Sequence, residues 1–596
     1  MNRIRRALQL DRLHDDRGMA LAIAIIFGMV IVVMVTSALA VSTSGLRRAA
    51  TDQNFDGALS AAYAGIQDYQ ARLANDTTYQ QYGNPDAVFS ASSKTLLHLP
   101  TGTQVNKAFG IGTTGTWASV PGSSDSAQYR YEVDISEYAN TGVIKVLSTG
   151  KVGTSVRSVA ASVRQQGFID FLYFTDYEIQ DPQLSGAAST CVTHAWEGRG
   201  SGCSEIAFGG GDTINGPAHS NDTMRICDAT FTQQVTTSST TNASTGLRYT
   251  KKDSLGNGCS GQVFPTGTTQ PDYASTIDMP ATNTQQKRET RKDLAEVTDP
   301  GCLYTGPTDI TFNANGTMTV KSPYTKATQT TGDASTGGDT AGPCGTAGTG
   351  SGKLGSSAGA TVPVPDDNLV YVQNVPAAST DVNYTSTTQL KSTCNDDNHV
   401  GYPRSGETAP SLGTAPCAYG SRTGDAFVHG TLKGSVTVAA ENYLYITGDM
   451  TYADASSDVL GLTATNAVWV WNPYGTSTTS YTCYFILTCS RSTTGAMLSD
   501  SNRTIDAAII SVAHTFQVQN YDKGGDRGTL TVLGAVAQKF RGIVRSGTNG
   551  YTKDYQYDPR LKYISPPKFL SPVTTTYAIT TVAEVKPAFT YDGSAN

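Results

Sequence analysis

Seven histidines and a few acidic turns are the residues of this chain best suited to chemistry. His14 precedes the first apolar run, and His219, His429 and His514 each sit in a short strand-like segment. Imidazoles gathered on one sheet face can ligate a metal or move protons, and at turns or edges they serve as hydrogen-bonded structural groups. The turns Asn395-Asp396-Asp397-Asn398, Asp366-Asp367-Asn368 and Asp522-Lys523-Gly524-Gly525-Asp526 crowd oxygen atoms. Calcium accepts such ligands, and Asx turns use the same residues. Paired carboxylates in a groove can cleave polysaccharide, but only at set separations that no spacing here provides. No Gly-x-Ser-x-Gly elbow and no Gly-x4-Gly-Lys-Ser/Thr loop is read. The expectation is a non-enzyme with no catalytic residue and no cofactor, calcium in the acidic turns being the alternative.

The ten cysteines are Cys191, Cys203, Cys227, Cys259, Cys302, Cys344, Cys394, Cys417, Cys483 and Cys489. All lie far beyond the first apolar run. An even number outside the cytoplasm suggests disulfides, and neighbour pairing is the simplest arrangement because each bridge closes a local loop. No Cys-x-x-Cys and no His-x3-His occurs, so no metal centre is expected.

These groups need elements to position them. Met19 to Val41 is a run of 23 residues without a charge. At 1.5 Å per residue a helix of that length crosses the ~30 Å core of a bilayer. A signal peptide has a shorter apolar core, although Ala38-Leu39-Ala40 offers a passable cleavage site. Arg3, Arg5, Arg6, Arg12 and Arg17 precede the run and only Arg47 and Arg48 closely follow it. That excess predicts a single span with its N-terminus in the cytoplasm and the large remainder outside. Leu46, Ala49, Ala50, Phe55, Ala58, Leu59, Ala62, Ile66, Tyr69 and Leu73 recur at helical spacing, so the helix is expected to continue to residue 75 as an amphipathic element. Its small residues Ala61, Ala62, Ala64 and Gly65 suit close packing, on its own domain or on neighbouring subunits.

Charged residues are only 16% of the chain, Gly numbers 60, and Tyr (30) outnumbers Phe (17). That composition favours strands and turns, and a net charge of −7 leaves no footprint for nucleic acid. Residues 129–135, 143–147 and 155–164 alternate as strands of an antiparallel meander that the helix can cover. From Phe168 onward short strands recur between Gly and Asn turns, at 212–221, 426–438, 443–449, 467–471, 505–512 and 530–537. This grammar predicts a β-solenoid, with a β-sandwich as the alternative. The Thr/Gly/Ala/Ser run 324–362 and the segment 230–258 read as insertions too poor in apolar surface to order themselves. The prolines Pro559, Pro566, Pro567 and Pro572 make the stretch from Tyr557 to Pro572 extended, wrapping the surface or capping the last rung. Trp469, Trp471 and Tyr474 could bind sugars if exposed and pack in a core if not.

The first ~75 residues resemble the minor pilins of type IV pili, in particular their PilX-type N-terminal region. Gly18 stands immediately before the apolar run, and Ala61-Ala62-Tyr63-Ala64-Gly65 is similar to the family's Ala-Ala-Glu-Ala-Gly stretch with Tyr63 in place of the glutamate. Beyond residue 168, His219-Ser220-Asn221, Tyr557-Asp558-Pro559-Arg560-Leu561 and Pro566-Pro567 resemble segments of large actinobacterial-type pilus-associated proteins. The resemblance implies cleavage between Gly18 and Met19 by a prepilin peptidase and insertion of the helix among other pilin subunits. It departs at position 23, where Ile23 stands for the usual glutamate. A subunit without that carboxylate lacks the group that engages a subunit above it, which implies a tip position.

The resulting expectation is an α+β, mainly β protein of a bacterial cell membrane. Residues 1–18 are a cytoplasmic leader, 19–75 a transmembrane and amphipathic helix, and 76–167 a pilin-like β-meander. Residues 168–572 form an extracellular solenoid-like domain with the insert 324–362, and 573–596 are a C-terminal tail. The outer domain serves adhesion to a surface glycan or protein, or assembly. The alternative is a membrane-anchored β-helix enzyme acting on polysaccharide.

Overall fold

The computed structural model describes residues 17–596 except 112–115, 124, 139–141, 166, 196–198, 201, 334, 340–341, 387–396, 409–417, 485–487 and 573–576, with backbone alone at 17–20, 77, 103, 165, 476–484, 488–494, 578 and 580. It is mostly β, with one long N-terminal helix and several sheets, and no closed barrel occurs among the described residues. Two compact units divide the chain: residues 1–136, 144–163 and 581–596 form the first, and 137–143 with 164–580 the second.

The first unit begins with α1, Arg17–Asn75, a helix of 59 residues and so about 88 Å long. Every side chain described from Leu21 to Ala50 is exposed. Within the apolar part, the hydroxyls of Thr36 and Ser37 donate to the carbonyls of Val32 (2.8 Å) and Val33 (2.6 Å), so these polar groups are satisfied by the helix itself. The packed face begins only at Ala58 and continues through Ala61, Ala62, Ile66, Tyr69 and Leu73, all buried. Leu46 and Phe55, part of the amphipathic pattern, remain exposed.

That face lies on a five-stranded sheet. Its strands are β1 (Ala118–Ser119), β2 (Ala127–Asp134), β3 (Val143–Val152), β4 (Ser155–Gln165) and, at the far edge, Tyr577–Val585. β1 pairs with β2 and β2 with β3, both antiparallel. Contact between helix and sheet is made through missing side chains. A Cβ on Gly150 of β3 would stand 2.1 Å from the Ala58 carbonyl oxygen and 2.2 Å from the Ala62 nitrogen, and one on Gly65 would stand 2.2 Å from Ser148 Oγ. The C-terminal residues read as a tail are instead built into this unit. The buried Arg130 guanidinium lies over the Phe589 ring at 4.2 Å and donates to the Gly593 carbonyl at 2.8 Å. Chain-end position hid this, because the partners of Arg130 lie at the opposite end of the sequence.

The second unit is a stack of short parallel strands. One residue from each strand runs through it in register: Cys302, Val370, Val438, Leu462, Ile509, Val536, Tyr173, Ala218 and Val235. All nine are buried. A second row holds Ile310, Val428, Ile446, Val470 and Val518, and a third Met450, Ile505, Val532, Tyr555, Ile214 and Phe231. The three rows share one apolar core, each aliphatic side chain contributing about 1.5–3 kcal/mol by its burial.

Stack order differs from chain order. The chain enters in the middle at Tyr173–Tyr177, proceeds to one end at Asp272–Tyr273, and starts again at the other end with Cys302–Thr305. It then works back until 536–540 pairs with 173–177. Residues 274–301 must therefore travel the length of the stack. Two asparagines fasten this strap. Asn221 Nδ2 donates to the Ile277 carbonyl at 2.8 Å and its Oδ1 accepts from Ile277 N at 2.9 Å. Asn283 donates to the Ala440 carbonyl and accepts from Thr465 Oγ1 and the Tyr371 hydroxyl. The proline-containing stretch joins it: Leu570 packs with Phe168, Phe174, Ile277 and Ile510.

The described residues of both segments read as insertions include strands and buried positions. Thr230–Phe231 and Val235–Thr237 are strands at one end of the stack. Within 324–362, Ala327, Cys344, Leu354 and Ala360 are buried, and the Cys302–Cys344 disulfide ties the segment to the first strand of the stack's far end. A cross-link and one well-placed leucine supply the order that composition lacks.

Two measurements follow. Gly150→Ala drives a methyl group into the backbone of α1 and should cost about 3 kcal/mol or more, read as a lowered midpoint of chemical unfolding; a loss below ~1 kcal/mol would contradict the packing described. The Cys302–Cys344 bridge spans 42 residues, so replacing both cysteines by alanine should remove about 4 kcal/mol of loop-closure stabilisation and expose 324–362 to protease before the rest of the unit.

Candidate functional site

Several polar side chains border a cleft in the second unit. It has a volume of about 430 Å³ and is lined by residues of the turn Ile206–Asp212, by Ser254, by the loop Gly542–Gly547 and by Tyr551, Thr552 and Lys553. Strand Asn549–Tyr557 places the last three. In register, Lys553 stacks on Leu530 and Arg503, and Tyr555 on Val532 and Ile505, so odd-numbered residues here face the core. The turn opposite is closed by Asp212, whose Oδ2 accepts from Gly209 N at 3.0 Å and whose N donates to the Gly209 carbonyl at 3.1 Å. Gly211 has a φ of +95°, a conformation that L side chains avoid. Lys553 Nζ stands 3.6 Å from Asp212 Oδ2.

Behind Lys553 lies a second cavity of about 20 Å³, room for roughly one water, lined in part by Tyr173, Gln538, Arg541 and Tyr555. Arg541 is buried and carries the local architecture. It pairs with Glu178 at 2.9 Å, donates to the carbonyls of Ile206 (3.0 Å) and Ala207 (3.2 Å), and lies over the Phe208 ring at 3.7 Å. Those bonds hold the rim of the cleft. Burial pushes the Glu178 carboxyl up, against the pull of Arg541. Burial also opposes the charge on Arg541, and Tyr173 and Glu178 more than offset it. Lys553 is lowered by burial, with Asp212 opposing. The arrangement can hold a polar group presented at the mouth.

Sequence reasoning missed Lys553, Asp212, Arg541 and Glu178. The one local signal was Tyr551-Thr552-Lys553-Asp554-Tyr555, where a strand alternation puts a lysine on the apolar side. Its partners lie far away in the chain and have no spacing to read.

The histidines are dispersed. His219 is fully buried, stacked on Phe174 and hydrogen-bonded to Thr236 and Asn221, and burial lowers it to about 4, so it is neutral at physiological pH. His429 sits between Thr311 and Thr447, and burial lowers it as well. His514 meets Asp181 at 2.7 Å. His14 lies outside the described residues. His194, not singled out from sequence, stands 3.0 Å from Asp176 and stacks on Tyr177.

The acidic turns serve the backbone. Asp366 accepts from Ser435 N, Asp397 from His399 N and Asp526 from Gly528 N. Lys568 shares a recess with Asp366 and Asp367. Asn395 and Asp396 lie outside the described residues. Gly355-Ser356-Ser357-Ala358-Gly359 does fit the spacing Gly-x-Ser-x-Gly, but it lies in turns and no helix follows it. Trp469 and Trp471 are buried with Tyr402, Tyr419, Phe427 and Tyr445, which removes them as an exposed sugar platform.

Three disulfides join chain neighbours: Cys191–Cys203, Cys227–Cys259 and Cys302–Cys344. Cys483 and Cys489 stand opposite each other in the hairpin Tyr474–Tyr484/Thr488–Met497. Cys394 and Cys417 lie outside the described residues. At the N-terminus, Gly18 and Met19 fall within α1; Ala61, Ala62 and Gly65 pack on the sheet, Ala64 is half-buried and Tyr63 is exposed.

One buried carboxyl gives the second unit a pH dependence. Asp425 accepts from Thr423 Oγ1 (2.7 Å), Asn442 Nδ2 (2.5 Å) and Tyr443 N (3.1 Å). Burial pushes it up to about 7 in spite of these donors. The folded state thus binds a proton that the unfolded state releases near pH 4. Its contribution to stability is present below about pH 4 and is lost as pH rises through about 7, by an amount of the order of 2–4 kcal/mol. Unfolding midpoints of the wild type should fall over that window, and those of Asp425→Asn should fall less; equal slopes would count against this assignment.

No protein-family model and no curated protein sequence matches the chain. Among solved structures, the crystal structure of the competence-associated pilin ComZ from Thermus thermophilus matches over 89% of this chain and 97% of that chain, with 11% identity and a TM-score of 0.24. Similarity at that score establishes neither a shared fold nor a shared role.

Proposed function

We propose that this chain is a pilin-like subunit of a type IV pilus or pseudopilus, carrying a large β-solenoid outside the membrane. The observation that bears most weight is the division of labour along α1. Residues 21–50 are exposed on every side, and the face that packs on the sheet begins only at Ala58. A helix bare all round for 30 residues, apolar over its first 21, needs a bilayer or neighbouring helices to cover it. The PilX-type reading, the prepilin peptidase and cleavage after Gly18 rest on the residue pattern around Gly18 and on the Ala-Gly stretch.

The solenoid reading is supported by the three in-register rows of parallel strands, in which each coil covers the apolar face of the next. We assign the outer domain to binding, in adhesion or assembly, rather than catalysis. Asp449, exposed, and Asp506, half-buried, accept backbone N–H groups of Thr504 and Tyr452 on neighbouring strands, a use that supports a structural role for both. No cofactor is assigned. Ile23 in place of the usual glutamate supports a tip position.

Intact mass and N-terminal sequencing of membrane-extracted protein, with and without prepilin peptidase, test this reading. A mature chain starting at Met19 and dependent on the peptidase is expected. A start at Met1 would leave a plain anchor, and a start at Val41 a secreted protein.

A further inference from the structure

Each of the three core rows belongs to one wall of the stack, and the chain treats the outer faces of those walls differently. Outside the row that runs from Cys302 to Val235, the outward residues Leu303, Leu369, Tyr371 and Ala439 are buried. The strap and the proline-containing stretch cover them. The Tyr371 hydroxyl donates to Asn283 Oδ1, Thr437 Oγ1 donates to the Pro567 carbonyl, and a Cβ on Gly461 would stand 2.6 Å from the Phe569 ring. Outside the row from Ile310 to Val518, Phe427, Tyr445 and Trp469 are buried with Tyr419 and with Tyr402, whose ring stacks on Phe427 at 4.2 Å.

The third wall differs. Its outward residues alternate with the buried Ile505, Val532, Tyr555 and Ile214 and form two ladders across the strands. Thr504, Thr531 and Asp554 stand in register in one, and Asp506, Leu533, Gln556 and Asn215 in the other. Thr431 pairs with Thr451 on one side of them and Thr213 with Thr230 on the other. None of these residues is buried. The hydroxyls of Thr213, Thr504 and Thr531 and the Asn215 amide have no hydrogen-bond partner among the described residues, and none of these atoms is sealed from solvent.

The composition of this wall narrows the partner. No lysine or arginine stands at these positions, and Asp506 and Asp554 repel an anionic polymer. Leu533 is the one aliphatic side chain among them and no aromatic ring occurs, so the anchors of a protein interface are missing. An uncharged, polar and repetitive partner fits what is left. Strands recur about every 4.8 Å, and each step of the ladders offers a hydroxyl, an amide or a carboxylate. The rings of a linear polysaccharide repeat on the same scale and carry hydroxyls that both donate and accept. With no ring to stack on, affinity comes from many weak bonds and therefore grows with the length of the bound chain.

We propose that this wall binds a neutral linear polysaccharide laid across the strands, its hydroxyls exchanging hydrogen bonds with Thr504, Thr531, Gln556 and Asn215. The proposal rests on the assignment of the outer domain to binding, and it names the class of ligand and the surface.

Depletion of the full chain from a sugar-free detergent solution by insoluble cellulose, chitin and mannan tests it, with immobilised polygalacturonate as the anionic polymer. Saturable retention by at least one neutral polymer is expected, and none by polygalacturonate. Soluble oligosaccharides of the retained polymer should compete more strongly as they lengthen. Thr531→Arg stands a long side chain on the wall and should weaken retention roughly tenfold or more. Thr504→Val/Thr531→Val removes two hydroxyls with little change of shape and should weaken it about threefold or more. Retention by none of the neutral polymers overturns the proposal, as do equal retention by polygalacturonate and wild-type affinity in a folded Thr531→Arg. Should Thr531→Arg not fold, the double valine variant decides by the same criterion. Absence of retention in a chain that matures to Met19 strikes this proposal and leaves the pilin-like reading standing.

Discussion

Parallel pairing of 536–540 with 173–177 is the constraint on which the second unit depends. It makes the strand at which the chain enters an interior strand of the stack. Parallel strands carry unpaired backbone groups on both edges until neighbours arrive, so each side must then be extended separately. The chain extends one side first, to Tyr273, and must cross to the other end before it can build the rest. The strap 274–301 is the direct consequence. Asn221 and Asn283 are its cost in polar burial, and each is repaid with hydrogen bonds to backbone or hydroxyl groups.

A different constraint governs the first unit. The helix must serve two environments along one axis, and the transition falls between Phe55, exposed, and Ala58, buried. Past that point the glycines bring helix and strand backbones together. Gly150 faces Ala58 and Ala62, and Gly65 faces Ser148 and Tyr129. Close approach buries alanines that would otherwise contribute little, and the aromatic group Tyr69, Tyr79, Phe109 and Tyr131 fills the wider space beyond. The edge strand Tyr577–Val585 and Arg130 with its ring partners complete the unit from the chain's other end.

The cleft shows what a stacked architecture permits. Most core positions are aliphatic because each must cover the next. At strand 549–557 the pattern breaks: Tyr551, Lys553 and Tyr555 stand where aliphatic residues would, and Arg541 and Glu178, from just beyond two other strands, lie nearby. Arg541 repays its burial fourfold, through Glu178, two carbonyls and the Phe208 face. Lys553 has Asp212, whereas the hydroxyls of the two tyrosines have no partner among the described residues, and local violations of packing logic of this kind are where function is commonly housed.

The order of the strands, the strap and the cleft were decided by tertiary structure. Each joins residues hundreds of positions apart, and no local pattern records which strand will lie beneath another. The packing of the described residues of 324–362 is of the same kind: the composition is that of a loop, and a disulfide to Cys302 with the burial of Leu354 overrides it. The apolar helix, its arginine flank, the helical spacing through Leu73, the alternating strands of the meander and the recurrence of short strands beyond residue 168 were legible in the sequence alone. These are periodicities of 3.6 and 2 residues or runs of one polarity, set by local geometry and solvent. Chain length limits how far such rules reach, because periodicity tells which face is apolar but not which surface will meet it.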